Sequence, residues 1–402
     1  MQLFTGKNYL KIDIANSFGL DKENWNARLS WFNDNEGKLD ELVKEAESPA
    51  MFYAGVQAYR KCIAGKESGY PVSLDATASG LQILACMTGD RSAAKLCNVV
   101  NTGKREDAYT IVYEEMCSEL GEAGNIERDD CKKAIMTSLY GSVAQPKKVF
   151  GKGKLYYTFQ DTMDKMAPAV WELNKAFLDI WDPEVLEHNW TLPDNFHVKV
   201  KVMGVETETV HFLNKPYDTY RKVNMPTEDG RSLGANSTHS VDGYIVREME
   251  RRCNFDTETL RNIRAMISDT RGGYKPHHRR NDDVVITEIL WNLYKKTGVL
   301  SARIFDYLTY DSLHIVDVDV IEELLNTLPP KPFKVITNHD CFRCLPHYAN
   351  DLRMQYNRQL YELAKSDLLS HILSQMTNSD IKVGKLDETL ADDILNADYA
   401  LS

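Results

Sequence analysis

Residues 128–141, RDDCKKAIMTSLYG, space Arg128, Lys132, Met136 and Tyr140 four apart. At about 100° per residue, each step of four drifts by only ~40°, so on a helix these side chains share one broad face. A guanidinium, an ammonium and a phenol in one row can hold a polyanion that also carries a ring, with the cations on phosphates and the aromatic on a base or sugar. Taken alone, the row is more simply a solvated helix face. The rest of the chain has to decide.

With a formal net charge of −11, the protein is not built to be coated with nucleic acid. The charge is uneven, however. Seven basic residues between 128 and 154 meet only Asp129 and Asp130, and a second basic knot occupies 271–280, while acid gathers near 35–47 and in the carboxy-terminal tail. Focused contact with nucleic acid fits this distribution. The 402 residues, 43% hydrophobic, suffice for a sizeable core and two or three domains. No apolar run reaches the ~18 residues of a membrane span and the start lacks a signal-peptide pattern, so a soluble, cytoplasmic protein without membrane partners is expected. The eight cysteines are scattered as free thiols would be, and the single CxxC, Cys341 with Cys344, has no second pair at zinc spacing.

Residues 10–60, 106–119 and 155–182 carry apolar positions at helical spacing, and 196–224 alternate as strands. Val72, Ser73 and Leu74 form a short strand that ends at Asp75, followed by small residues and an apolar helix, so Asp75 is exposed at a strand edge with room beside it; a turn or helix-cap role is the plain alternative. Two later stretches repeat an apolar, acid, apolar pattern and are predicted as hairpins, 305–316 around Asp311 and 333–342 around Asp340. Two carboxylates brought together beside a cationic helix are the parts needed for two-metal phosphoryl transfer.

These residues resemble the single-subunit RNA polymerases of bacteriophages and mitochondria, whose palm and fingers are shared with family A DNA polymerases. Asp75-Ala-Thr-Ala-Ser-Gly80-Leu-Gln82 resembles the first palm motif, and Arg128-x3-Lys132-x7-Tyr140-Gly141 the fingers-helix motif with every spacing kept. His339-Asp340-Cys341-Phe342, continuing through Pro346 and Asn350, resembles the second palm motif better than Tyr310-Asp311-Ser312 does. The resemblance implies an α+β right-hand fold, largely helical with a small antiparallel palm sheet. It divides the chain into palm (1–105), fingers (106–238), and a third part (239–402) with an insertion near 245–330, the rest of the palm and a carboxy-terminal foot.

By the same resemblance, Asp75 and Asp340 hold two Mg²⁺ ions with help from the Ala76 carbonyl, and Lys132 and Tyr140 join them as catalytic residues. Arg128 and Lys132 contact phosphate, and Tyr140 senses ribose and base. Lys11 is a further phosphate contact, and His239, in Asn236-x2-His239-Ser240-x-Asp242, inspects the sugar. Gly80 stands where the related DNA polymerases carry a blocking Glu, and Met136 where they carry Phe or Tyr, so ribonucleotides are the implied substrates. The implied function is DNA-directed RNA synthesis on phage genes, in the cytoplasm of an infected bacterium; the alternatives are a family A DNA polymerase fragment or a non-catalytic nucleic-acid-binding protein of the same fold. The thumb and amino-terminal domain have no counterpart here. In this respect the chain resembles the larger subunit of the heterodimeric RNA polymerases of enquatrovirus-type phages. That implies a smaller subunit as partner, along with DNA template, RNA transcript, rNTPs and an accessory single-stranded-DNA or promoter-loading factor.

Overall fold

The computed structural model describes residues 1–121, 126–139, 144–227, 232–275 and 279–402. Helices dominate, and the strands fall into three small antiparallel sheets. The apolar periodicity near the start yields helices Gly6–Ala15, Trp25–Asn35 and Pro49–Ile63. The Thr5 hydroxyl caps the first, and Pro49 opens the third, where no N–H is required. The expected helix at 155–182 is two, Lys154–Met166 and Pro168–Asp179. Pro168 disfavours helical backbone at Ala167 and divides them. Asp90, fully buried, then stitches the region together: one carboxylate oxygen caps the Arg91–Leu96 helix through Ala93 N–H, and the other accepts from Ala169 and Val170.

Strand β1 (Val72–Asp75) lies far in sequence from its partners. The pairs β2 (Glu187–Thr191) with β3 (His197–Lys201), and β4 (Met203–Phe212) with β5 (Lys215–Asn224), are local hairpins. The second of these turns through Leu213 and Asn214, both at positive φ as the I′ type requires. It is exposed on both faces along nearly its whole length. Strands β6 (Ile336–Asn338) and β7 (Cys341–Cys344) complete the first sheet in the order β1-β7-β6.

The outer edge of β1 is covered by two distant segments. Asp13 accepts from Ser73 N–H at 2.8 Å, and Ser402 pairs with Asp75 in both directions at 2.9 and 3.2 Å. Beyond the strand, Ala76 bridges Leu401 and Thr77 N–H donates to Ala400. An edge that would otherwise present unpaired backbone is thus closed.

Apolar side chains collect in two cores. The main one includes β1, β7 and the Ser79–Thr88 helix, which is buried on every side, together with the long helix Ala349–Lys365. The second lies wholly within 260–325, among helices that start at the caps Asp256, Asn281 and Asp317. Residues 245–253 end the Leu233–Cys253 helix and belong to the main core. Arg252 joins the two: fully buried, it bonds Glu248 and Glu362, while Glu248 accepts from Ser301 and Ala302 where the Ala302–Asp306 turn of the second core begins.

Candidate active site

Asp75 ends β1, and Asp340 occupies the two-residue turn between β6 and β7. In that turn His339 takes φ 54°, and a positive φ at the first turn position alone is the II′ pattern, whose twist matches the flanking strands. β1 lies beside β7 with Asp75 opposite Cys341, and Ala76 N–H donates to the Asp340 carbonyl at 3.0 Å. The two carboxylates therefore leave the same end of the sheet from neighbouring strands. Asp75's carboxyl is raised above its ordinary range, first because packed protein displaces water around it; Asp340's charge raises it further, against a hydrogen bond from Cys341 and the Arg343 charge. Like charges held together in this way favour a divalent cation between them.

The donor set suits magnesium, which needs only one or two carboxylates and completes its shell with water and phosphate oxygens. No cluster of three or more His, Cys, Asp or Glu at metal-binding distance occurs among the described residues, so a closed protein cage is not what this site offers. The Ala76 carbonyl already accepts from Ala78 N–H at 3.0 Å and keeps one lone pair. Ala78 is itself held left-handed, at φ 82°, where the chain turns from the strand into the Ser79–Thr88 helix that carries Gly80. Cys341 and Cys344 are free thiols within β7.

His239 and Asp242, three residues apart on the Leu233–Cys253 helix, look onto the same turn. Burial, then the charge of His339, lowers the His239 pKa; burial, then the charge of Asp340, raises Asp242 to about 6. Asp242 thus adds a third carboxyl near the pair. Asp13 is the buried acid behind β1, accepting from Tyr70 Oη at 2.7 Å as well as from Ser73, and burial raises it to about 6. Sequence reasoning passed over Asp13. Its one signal was an acid amid the buried positions of an apolar helix.

The cation row forms the helix Arg128–Leu139, with Lys132 and Met136 exposed. Arg128 is engaged elsewhere: it ion-pairs with Asp107 and donates to Thr110 Oγ1 at 2.7 Å, fastening its helix to the N-terminus of Ala108–Leu120, which Asp107 caps. Burial opposes ionisation of Asp107, yet the Arg128 and Thr110 bonds hold its carboxyl below the ordinary range. Lys132 Nζ stands 5.8 Å from the Tyr109 ring centroid. Tyr140 and Gly141 lie outside the described residues. Lys11 turns toward the neighbouring helices, donating to Asn33 Oδ1 at 2.6 Å beside the rings of Phe32 and Tyr59, on the side of its helix away from Asp13.

One expected hairpin is absent. Residues 305–316 are 3₁₀ turns, Ala302–Asp306 and Leu313–Ile315, whose Phe305 and Leu313 fill the second core. Asp311 there accepts from Arg279 N–H at 3.3 Å, and it is Asp340 that shares a sheet with Asp75.

Residues 4–149 match the family model of DNA-dependent RNA polymerase. That segment contains Asp75, Gly80, Arg128 and Lys132; His239 and Asp340 lie beyond it. The chain is 31% identical over 158 residues to a Neurospora crassa protein named "Probable DNA-directed RNA polymerase", covering 34% of this chain and 18% of that one. It is 30% identical over 172 residues to the DNA-directed RNA polymerase of Pseudomonas phage phiKMV, covering 34% and 21%. It is 28% identical over 166 residues to the mitochondrial DNA-directed RNA polymerase of Schizosaccharomyces pombe, covering 34% and 14%. The matched part thus spans about a fifth or less of each relative. Among the described residues, no helix is long and apolar enough to cross a membrane.

Proposed function

We propose that this chain is the catalytic part of a DNA-directed RNA polymerase that adds ribonucleotides to an RNA 3′ end. One observation carries the reading: Asp75 at the end of β1 and Asp340 in the adjoining β6–β7 turn are locked together by the bond from Ala76 N–H to the Asp340 carbonyl, and Asp340's charge bears on Asp75. The sequence likeness of 4–149 to RNA polymerases supports the same reaction. In this reading Asp75 and Asp340 hold two magnesium ions. Magnesium supplies Lewis-acid stabilisation of the phosphoryl oxygens and a more acidic 3′-hydroxyl. Lys132 receives the triphosphate and protonates the departing pyrophosphate. Arg128 is assigned to phosphate, Tyr140 to the incoming sugar and base, His239 to the sugar, and Lys11 to a more remote phosphate. Gly80 leaves room for a ribose 2′-hydroxyl.

The domain reading follows: 1–105 with the end of the chain as palm, 106–238 as fingers, and an insertion near 245–330, within which 260–325 has a core of its own. Thumb, promoter reading and duplex melting are assigned to polypeptide outside these residues, in a smaller second subunit and an accessory promoter-loading factor, as the likeness to split phage enzymes suggests. Primer extension on an RNA–DNA hybrid, with the second subunit added, tests the reading. Incorporation of rNTPs that Asp75→Asn or Asp340→Asn abolishes is expected. A preference for dNTPs would instead make the chain a DNA polymerase fragment, and full activity in both variants would sink the metal assignment.

A further inference from the structure

Arg105 has no ion-pair partner within 4 Å among the described residues, although the charges of Asp21, Asp107 and Asp75 act on it. Its main chain is fixed by a 2.7 Å bond from its N–H to Asn24 Oδ1. Its Nε donates to Ser402 Oγ at 3.3 Å, and Ser402 is the residue whose backbone pairs both ways with Asp75. One side-chain contact and one backbone pair therefore connect this guanidinium to Asp75. Its two Nη groups, the edge that forms a fork to phosphate, make no described hydrogen bond.

The surroundings show why an anion belongs there. Arg28, fully buried, donates to the carbonyls of Asp21 and Glu23, lies over the Trp25 ring, and leaves Nη1 without a partner. Burial and then the charge of Arg105 bring Arg28 down to about 9. Burial lowers the Arg105 pKa, against the charges of Asp21, Asp107, Tyr399 and Asp75, and none of these ion-pairs with it within 4 Å. The fold thus holds two guanidinium groups near each other, one with a free edge that Ser402 ties to the end of β1. A cavity of about 290 Å³, lined by Asn24, Lys104, Asp398 and Tyr399 among others, lies next to Arg105 in the chain, though neither arginine lines it.

We propose that Arg105 is a substrate-contacting residue whose Nη edge receives a phosphate beside Asp75, approaching from the palm and not from the cation row of 128–139. The proposal rests on the polymerase reading above. Two sources share this chemistry: a phosphodiester of the RNA–DNA hybrid and the triphosphate of the incoming nucleotide. Neither the fingers-helix motif nor the first palm motif contains Arg105.

Binding by the full chain separates the sources. A fluorescein-labelled RNA–DNA hybrid is titrated by anisotropy across a salt series, and a fluorescent ATP analogue with Mg²⁺ is titrated in parallel, for the parent, Arg105→Gln and Arg105→Lys. For a phosphodiester contact, Arg105→Gln weakens hybrid binding about tenfold or more and reduces the slope of log K against log salt by about 0.7–0.9. For a triphosphate contact, the same loss falls on the ATP analogue and the hybrid is unaffected. Arg105→Lys, which keeps the charge but not the fork, restores the salt slope and only part of the affinity. Unchanged binding of both probes by Arg105→Gln overturns the assignment, as does a parent chain that binds neither. If Arg105→Gln fails to fold, a salt slope and affinity for Arg105→Lys equal to the parent's in both titrations overturn it. The underlying reading fails separately, by incorporation that survives Asp75→Asn.

Discussion

The N–H of Ala76 and the carbonyl of Asp340 are joined at 3.0 Å, one step beyond the pairing of Asp75 with Cys341. The spacing of the two aspartates' backbones is therefore set by main-chain bonds. Substituting either side chain should leave the sheet intact.

Asp75→Asn and Asp340→Asn are expected to fold, and each should lose the response to magnesium. Without metal they should melt at or slightly above the parent temperature, because one of two like charges has gone. In the parent, magnesium at a hundred times its Kd should add about 2.7 kcal/mol to unfolding, seen as a higher Tm. An undiminished magnesium response in both variants would refute the shared site.

Asp13 should make stability depend on pH. Its folded pKa, about 6, lies above the ordinary value of 3.8, so the folded state binds its proton more tightly than the unfolded chain does. The contribution of protonated Asp13 is complete below about pH 4 and is lost as the pH rises through about 6. The full swing is about 3 kcal/mol. Urea unfolding between pH 4 and 7 should show the parent weakening across this window, with Asp13→Asn flattening the slope. Parallel curves for the two proteins would contradict the assignment.

Gln82 connects three distant segments. Its Nε2 donates to Thr77 Oγ1, the Cys97 carbonyl and the Ala400 carbonyl, and its Oε1 accepts from Tyr356 at 2.7 Å. Gln82→Leu strands several buried groups and should cost about 2–4 kcal/mol. Limited proteolysis should then cut more readily near 396–402, which the unchanged chain protects. A variant with parental stability and protection would show that water or local rearrangement replaces the bonds.

Arg252→Met should be worse than removing the whole ion network. Alone it takes the Arg252 cation from Glu362 and leaves Glu248 with Arg251 only, at a cost of about 3–5 kcal/mol. Adding Glu248→Leu and Glu362→Gln should recover a large part of that loss. No recovery in the triple variant, measured by denaturant midpoint, would mean that the charges themselves stabilise the junction between the cores.

What the sequence disclosed depended on whether the decisive partner was local. Val72, Ser73, Leu74 and Asp75 followed by small residues reads as a strand edge because the breaks and the apolar run are adjacent, and β1 ends there. The helices of 6–63 were legible for the same reason. The stretch 305–316 misled, since an apolar, acid, apolar pattern serves short 3₁₀ turns as well as a hairpin when remote helices bury its Phe305 and Leu313. The pairing of Arg128 with Asp107 was not legible because the two lie 21 residues apart, at the ends of different helices. Asp13 and Arg105 stayed hidden because their meaning lies in Ser73 and Ser402.

The sheet that carries Asp75 also sets an order of events during synthesis. β1 leaves the ribosome well before β7 and the segment 400–402 that flank it. Such non-local pairing is slow to form and cannot begin until β7 has been made. A nascent or prematurely terminated chain therefore has Asp75 without Asp340, so incomplete products should be catalytically silent yet still expose an unpaired strand to chaperones.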